Sequence, residues 1–138
     1  MKAYFGRRYT LSASHRLHVG SLSADENRAV YGKCNNPHGH GHNYVVELVV
    51  AGPVDAETGM VVNMATLDAA VRAAILDRFD HANLNFDPIF VNLVPTTENL
   101  CRAIFDLLRG ALPLIEVERV RVEETENNFF ECHAEGIS

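Results

Sequence analysis

The stretch CNNPHGHGHNY, Cys34 to Tyr44, gathers one thiol and three imidazoles ahead of an apolar run. Neutral imidazoles are good zinc ligands, and a site that takes three ligands from the protein keeps a fourth position open for chemistry. His40 and His42 are two residues apart, so on an extended strand both rings emerge on one face, ~6–7 Å apart along the backbone and within reach of one ion. His38 shares that parity, and spacing alone equally allows the pair His38 and His40. Another imidazole, His15, ends the alternating row Tyr9, Leu11, Ala13, His15. A thiol beside a dication or an imidazolium has a lowered pKa and can serve as base or nucleophile near neutral pH, which makes Cys34 a candidate. The residues leave two other readings of Cys34 open: a fourth zinc ligand, which would close the site and make it structural, or a small buried hydrophobe. Cys101 and Cys132 are assigned to packing.

Acidic groups form the second set of candidates. Asp80 and His81 are adjacent, and a carboxylate beside an imidazole can set its tautomer and raise its basicity. Glu124 ends a row in which Val120 and Val122 share its strand face. A carboxylate so placed needs a partner, and an edge offering two parallel N–H groups would satisfy it bidentately. Thr96 and Thr97 have the residue type of helix caps, with Glu98 suited to the first turn through the helix dipole.

These groups need elements to hold them. Alternation predicts a strand from Tyr9 to His15, a polar loop over Leu17 to Pro37, and a second strand from about His40 to Val50. Three-to-four spacing of Leu67, Val71, Ile75 and Phe79, and again of Leu100, Ile104 and Leu108, predicts two helices. Asn63 or Thr66 suits the first cap, Thr97 the second, and Gly110 a C-terminal cap. Asp80 to Asn99 reads as an irregular connection, and two strands follow, Val117 to Glu124 and about Asn128 to Glu135, joined by a tight turn. The order β-β-α-α-β-β is an α+β pattern with an antiparallel four-stranded sheet and two helices on one face.

Composition narrows the class. A chain of 138 residues with 47% hydrophobic content forms one domain, expected over 1–138, with a sizeable core. A net charge of −6 with scattered basic residues argues against nucleic acid as a partner. No apolar run approaches the roughly 20 residues that span a bilayer, so neither a membrane nor an exported location is expected, and the protein reads as cytoplasmic. No GxGxxG or GxxxxGK[ST] loop is present, which points away from a nucleotide cofactor.

Taken together, SASHRL with His15, YGKCNNPHGHGHNY, Asp80-His81, PTTEN and EETENN resemble the family of 6-pyruvoyltetrahydropterin and 6-carboxytetrahydropterin synthases, from about Tyr9 to Gly136. The resemblance implies the tunnelling fold (T-fold), zinc bound by His15, His40 and His42, and His38 as a bystander. It further implies Cys34 as the proton-abstracting base, Asp80 and His81 as a relay, Glu124 as catalytic and as the anchor of the pterin's amino-pyrimidinone edge, and Thr96, Thr97 and Glu98 lining that pocket. The family's subunits form trimers that stack as a homohexamer, with active sites between subunits. The implied reaction converts 7,8-dihydroneopterin triphosphate into 6-pyruvoyltetrahydropterin with loss of triphosphate, a step of tetrahydrobiopterin biosynthesis. Arg16 and Lys33 are candidates to hold the triphosphate by proximity. The 6-carboxytetrahydropterin branch of the queuosine pathway is the nearest alternative: the spacing from Cys34 to His38 fits it, whereas the wording CNNPxGHGHNY fits the biopterin branch. An aldolase-like relative and a non-catalytic zinc or pterin-binding module are more distant alternatives.

Overall fold

The computed structural model describes residues 1–135; the last three residues of the expected domain lie outside the described residues. Strand β1 (Lys2–His15) and strand β2 (His40–Pro53) pair antiparallel along their whole length, from Lys2 opposite Pro53 to His15 opposite His40. Both are longer than their apolar stretches predict. In β1 the inward parity continues through Phe5 and Arg7, and Arg7 is tolerated there because its guanidinium grips Asp68 with two bonds of 2.7 and 2.8 Å. The Tyr9 hydroxyl donates to the same carboxylate.

Strands β4 (Glu116–Thr125) and β5 (Asn128–His133) continue the sheet beyond β2, so the order is β3-β1-β2-β4-β5. The sheet therefore has five strands among the described residues instead of the expected four. The extra one, β3 (Ala82–Asn83), is two residues long and parallel to β1 at Ala13 and Ser14. It is fixed from outside its own sequence: the Ser12 N–H donates to the Asp80 carboxylate at 2.8 Å and the His81 N–H donates to the Ser12 carbonyl.

The expected polar loop contains a helix, α1 (Ala24–Tyr31), followed by a tight 3-10 turn at Gly32–Asn35. Its start is a reciprocal capping box between Ser23 and Glu26, which overrides the polarity of the stretch. Helix α2 (Met64–Val71), capped by Asn63, runs on through a π-type turn at Arg72–Leu76 into α3 (Asp77–Phe79). Helix α4 (Thr97–Ala111) is capped by Thr96, one residue earlier than expected, and ends past Gly110 at Leu112.

The helices cover one face of the sheet. Leu67, Val71, Ile75, Phe79, Leu100, Ile104 and Leu108 pack on Leu11, Tyr44, Val46, Leu48, Val50, Val120 and Val122. The other face is polar and largely self-neutralised: Arg119 bridges Glu47 at 2.7 Å and Glu131 at 2.9 Å, and Arg8 joins Glu47 at 2.9 Å.

Candidate metal centre

His15 is the last residue of β1 and is fully buried. Its Nδ1 donates to the Pro95 carbonyl at 2.8 Å, which leaves the Nε2 lone pair free, and that nitrogen has no hydrogen-bond partner. On the neighbouring strand His42 lies opposite Ala13, with its ring 5.0 Å from that of His15. His42 Nε2 is 3.0 Å from Glu124 Oε1, yet the two are not aligned for a hydrogen bond. Atoms that approach this closely without pairing fit donors aimed at a common point. One donor atom each from His15, Cys34, His42 and Glu124 lies within 4.8 Å of the others.

Strand parity brings His40 to the same face: it pairs with His15 in register, and its ring is 4.6 Å from that of His42. It borders the four-donor group without being one of its members. His38 sits exposed in the turn, where its N–H meets the Asn36 side chain. Gly39 next to it has φ +84, and a Cβ there would press on the His15 carbonyl at 3.4 Å. A glycine lets the chain turn at this point into β2.

Burial pushes the pKa of His15 down against the opposing pull of the Pro95 carbonyl, and burial likewise lowers His42 against Glu124. Both rings are thus held neutral, the form a metal needs. Burial first, and Glu124 second, push the Cys34 thiol up. Nothing in the protein alone makes it a thiolate; a cation among the four donors would.

Cys34 reaches the site because its loop is strapped to β1. The Leu17 N–H donates to the Cys34 carbonyl at 2.7 Å, and the Asn35 amide returns a bond of 2.7 Å to the Leu17 carbonyl. Glu124 stands at the end of β4, and the Asn128 amide donates to its Oε2 at 3.0 Å. Thr96 spends its hydroxyl on the cap of α4, Glu98 is exposed in the first turn, and Thr97 is buried.

Asp80 and His81 are not brought to this group within the chain. The Asp80 carboxylate binds the Ser12 N–H, its Oδ2 is 3.6 Å from His81 Nε2, and the His81 side chain is 83% exposed with φ +60. His81 borders an open cleft of about 330 Å³ that His42 also lines, together with three polar residues, Ser12, Ser14 and Asn43. Those three project from the face opposite His15 and Tyr44. Arg16 donates from its Nε to the Asn35 carbonyl at 3.3 Å, and Lys33 is exposed on the turn beside Cys34.

Residue types alone did not single out Pro95, Asn35, Asn128 or Tyr44. Only Tyr44 carried a signal, since it continues the parity of His40 and His42.

The chain matches the family model for 6-pyruvoyl tetrahydropterin synthase over residues 4–135. It is 48% identical to human 6-pyruvoyl tetrahydrobiopterin synthase over 92% of this chain and 88% of that one. It is 49% identical to the Drosophila melanogaster protein of the same name over 91% of this chain and 76% of that one. The solved structure of Caenorhabditis elegans 6-pyruvoyl tetrahydropterin synthase superposes with a TM-score of 0.90 at 38% identity, covering 98% of this chain and 97% of that one. A five-stranded sheet with helices on one face, superposing closely on a T-fold enzyme, and a sequence match over nearly the whole chain lead to one conclusion: the chain belongs to the 6-pyruvoyl tetrahydropterin synthase family of enzymes.

Proposed function

We propose that this protein is a zinc-dependent lyase that converts 7,8-dihydroneopterin triphosphate into 6-pyruvoyltetrahydropterin with elimination of triphosphate, the tetrahydrobiopterin branch of its family. The observation that carries the reading is the convergence of two buried, neutral, unpartnered imidazole nitrogens with a thiol and a carboxylate. Two imidazoles with a third alongside form a nitrogen donor set suited to zinc. His15, His42 and His40 would hold the ion. Zinc, when bound, acts as a Lewis acid toward substrate hydroxyl and carbonyl oxygens.

The protein's own groups do the rest. Cys34 stands beside the ligands and takes a proton from the substrate carbon. Glu124 accepts two parallel N–H bonds from the pterin edge, which orients the ring as well as binding it. Thr96 and Glu98 at the start of α4 would line this pocket, whereas the expected Thr97 is buried and its hydroxyl offers the pocket no surface. Asp80 and His81 are not members of the donor group that holds Cys34, and we assign the relay to the Cys34 of another subunit, in a homohexamer of single-domain chains with sites between subunits. Among the described residues no helix is long and apolar enough to cross a membrane, which is compatible with a cytoplasmic enzyme.

Product identification tests the reading. Zinc-loaded protein incubated with 7,8-dihydroneopterin triphosphate should release triphosphate and 6-pyruvoyltetrahydropterin. A 6-carboxy product would move it to the queuosine branch, and pterin binding without turnover would leave a non-catalytic module.

A further inference from the structure

Two of the three cysteines take no part in the site described above, and the fold brings them to one place. Cys101, in the second turn of α4, is fully buried. Its sulfur lies 3.5 Å from the Val120 carbonyl on β4 and 3.5 Å from the Phe130 carbonyl on β5, so it sits over the seam between these two strands. Cys132 stands at the same seam. It is the register partner of Val120 across the β4–β5 pairing, and it follows Phe130 by two residues, which puts both side chains on one face of β5. Phe130 and Cys132 both pack on the core, and β5 lies against α4. Burial first, and the neighbouring Cys132 second, push the Cys101 thiol up, in keeping with two thiols side by side.

The two thiols differ in access. Cys101 is 0% exposed, whereas Cys132 is half-buried and lines an open groove of about 530 Å³ with Arg102, Phe105, Asp106 and Arg109 of α4. The groove is large enough to admit a small organic molecule. Packing accounts for one buried thiol, but it does not call for a second one beside it that opens to solvent. A buried sulfur next to a solvent-facing one is the arrangement of a resolving thiol and an attacking thiol.

We propose that Cys132 and Cys101 form a thiol–disulfide relay, in which Cys132 reacts with a small disulfide from solution and Cys101 then closes a protein disulfide that pins α4 to the edge strand β5. The Cys132 thiolate attacks one sulfur of the small disulfide, forming a mixed disulfide and releasing one thiolate. The Cys101 sulfur attacks Cys132 Sγ, forming the Cys101–Cys132 bond and releasing the second thiolate. The two protein thiols together lose two electrons, the small disulfide is reduced to two thiols, and the two protons leaving the protein go to the two departing thiolates. The bridge closes a loop holding the rest of α4, all of β4 and most of β5, so it restrains the unfolded chain. The pair is independent of the zinc and pterin chemistry.

The test uses the full-length protein with oxidised glutathione as the disulfide, under native conditions, followed by alkylation of free thiols and peptide mapping by mass spectrometry. The parent should lose the free thiols of Cys101 and Cys132 together and yield a peptide pair cross-linked through them, reversed by dithiothreitol. Cys101→Ala should stop at a glutathione adduct on Cys132, and Cys132→Ala should leave Cys101 reduced. The oxidised parent should unfold at a higher urea concentration than its reduced form, a shift absent from both variants. A parent in which Cys132 carries glutathione while Cys101 stays reduced, an unreacted Cys132, or direct modification of Cys101 in Cys132→Ala would each overturn the relay. An unchanged urea midpoint in the bridged parent would overturn the pinning of α4. Mapping of the parent alone decides the pairing if either variant fails to fold.

Discussion

At the scale of single residues, the role of Cys34 separates an open metal site from a closed one. The group of mutually close donors includes Cys34 and Glu124, while His40 stands at its border. If the thiol is a base, it must stay off the metal and beside the substrate carbon. Cys34→Ala should then retain zinc and pterin affinity yet lose turnover by ~10²–10⁴-fold, the range of general base catalysis. Metal analysis of that variant decides the matter, because a depleted protein means that the thiol is a ligand. Glu124 makes a separate prediction. Glu124→Gln keeps the shape but replaces one acceptor with a donor facing the ligand's N–H groups, so affinity for 7,8-dihydroneopterin should fall about tenfold or more. Unchanged affinity in a fluorescence titration would place the anchor elsewhere. Strand parity put His40 and His42 on one face of their strand and made His15 and Glu124 the ends of apolar rows on two others; the pairing of the strands brings these rows to one side of the sheet. Membership of the donor group was not legible in the same way, because it depends on how a loop outside the sheet delivers Cys34.

At the scale of elements, short segments were hidden because their stability comes from partners distant in sequence. Strand β3 exists through Asp80 and His81 gripping Ser12, and Asn85 extends the grip with bonds to the Arg16 N–H and carbonyl. Helix α1, by contrast, was readable in principle from Ser23 and Glu26, the spacing of a capping box, but the surrounding polarity obscured it. The segment after α3 also hangs on an ion pair. Arg78 makes two bonds to Asp87, of 2.8 and 2.7 Å, and Asp87 in turn caps the turn at Ile89. The guanidinium first, helped by the Ile89 N–H, holds the Asp87 carboxyl below its ordinary value of 3.8. The sign follows directly. The folded state binds this proton less readily than the unfolded chain, so the stabilisation is complete above pH ~3.8 and disappears as pH falls through the lower folded value. Asp87→Asn should therefore cost about 1–2 kcal/mol near neutrality, read from urea unfolding, and the gap to the parent should shrink below pH 4. A gap that stays constant with pH would mean that the charge is irrelevant.

At the scale of the whole molecule, one chain does not bring its proposed relay to its proposed base. Cys34 belongs with His15, His42 and Glu124 to the four-donor group, whereas Asp80 and His81 lie outside it, His81 bordering the cleft that Ser12, Ser14, His42 and Asn43 also line. The proposed arrangement, with the relay of one subunit serving the base of another, can be tested by mixing variants, and the test needs no assembled structure. Cys34→Ala and His81→Ala should each be inactive as pure oligomers. When the two are unfolded together, mixed in equal amounts and refolded with zinc, some sites combine an intact Cys34 from the second variant with an intact His81 from the first. Random assembly of a closed symmetric oligomer makes about a quarter of the sites whole, so activity should return to about a quarter of the parent's. Sites built within one chain would never be whole in any mixture, because each chain carries a defect. Mixed oligomers confirmed by native mass spectrometry but lacking activity would therefore place the base and the relay in the same subunit, or remove Asp80 and His81 from the chemistry altogether.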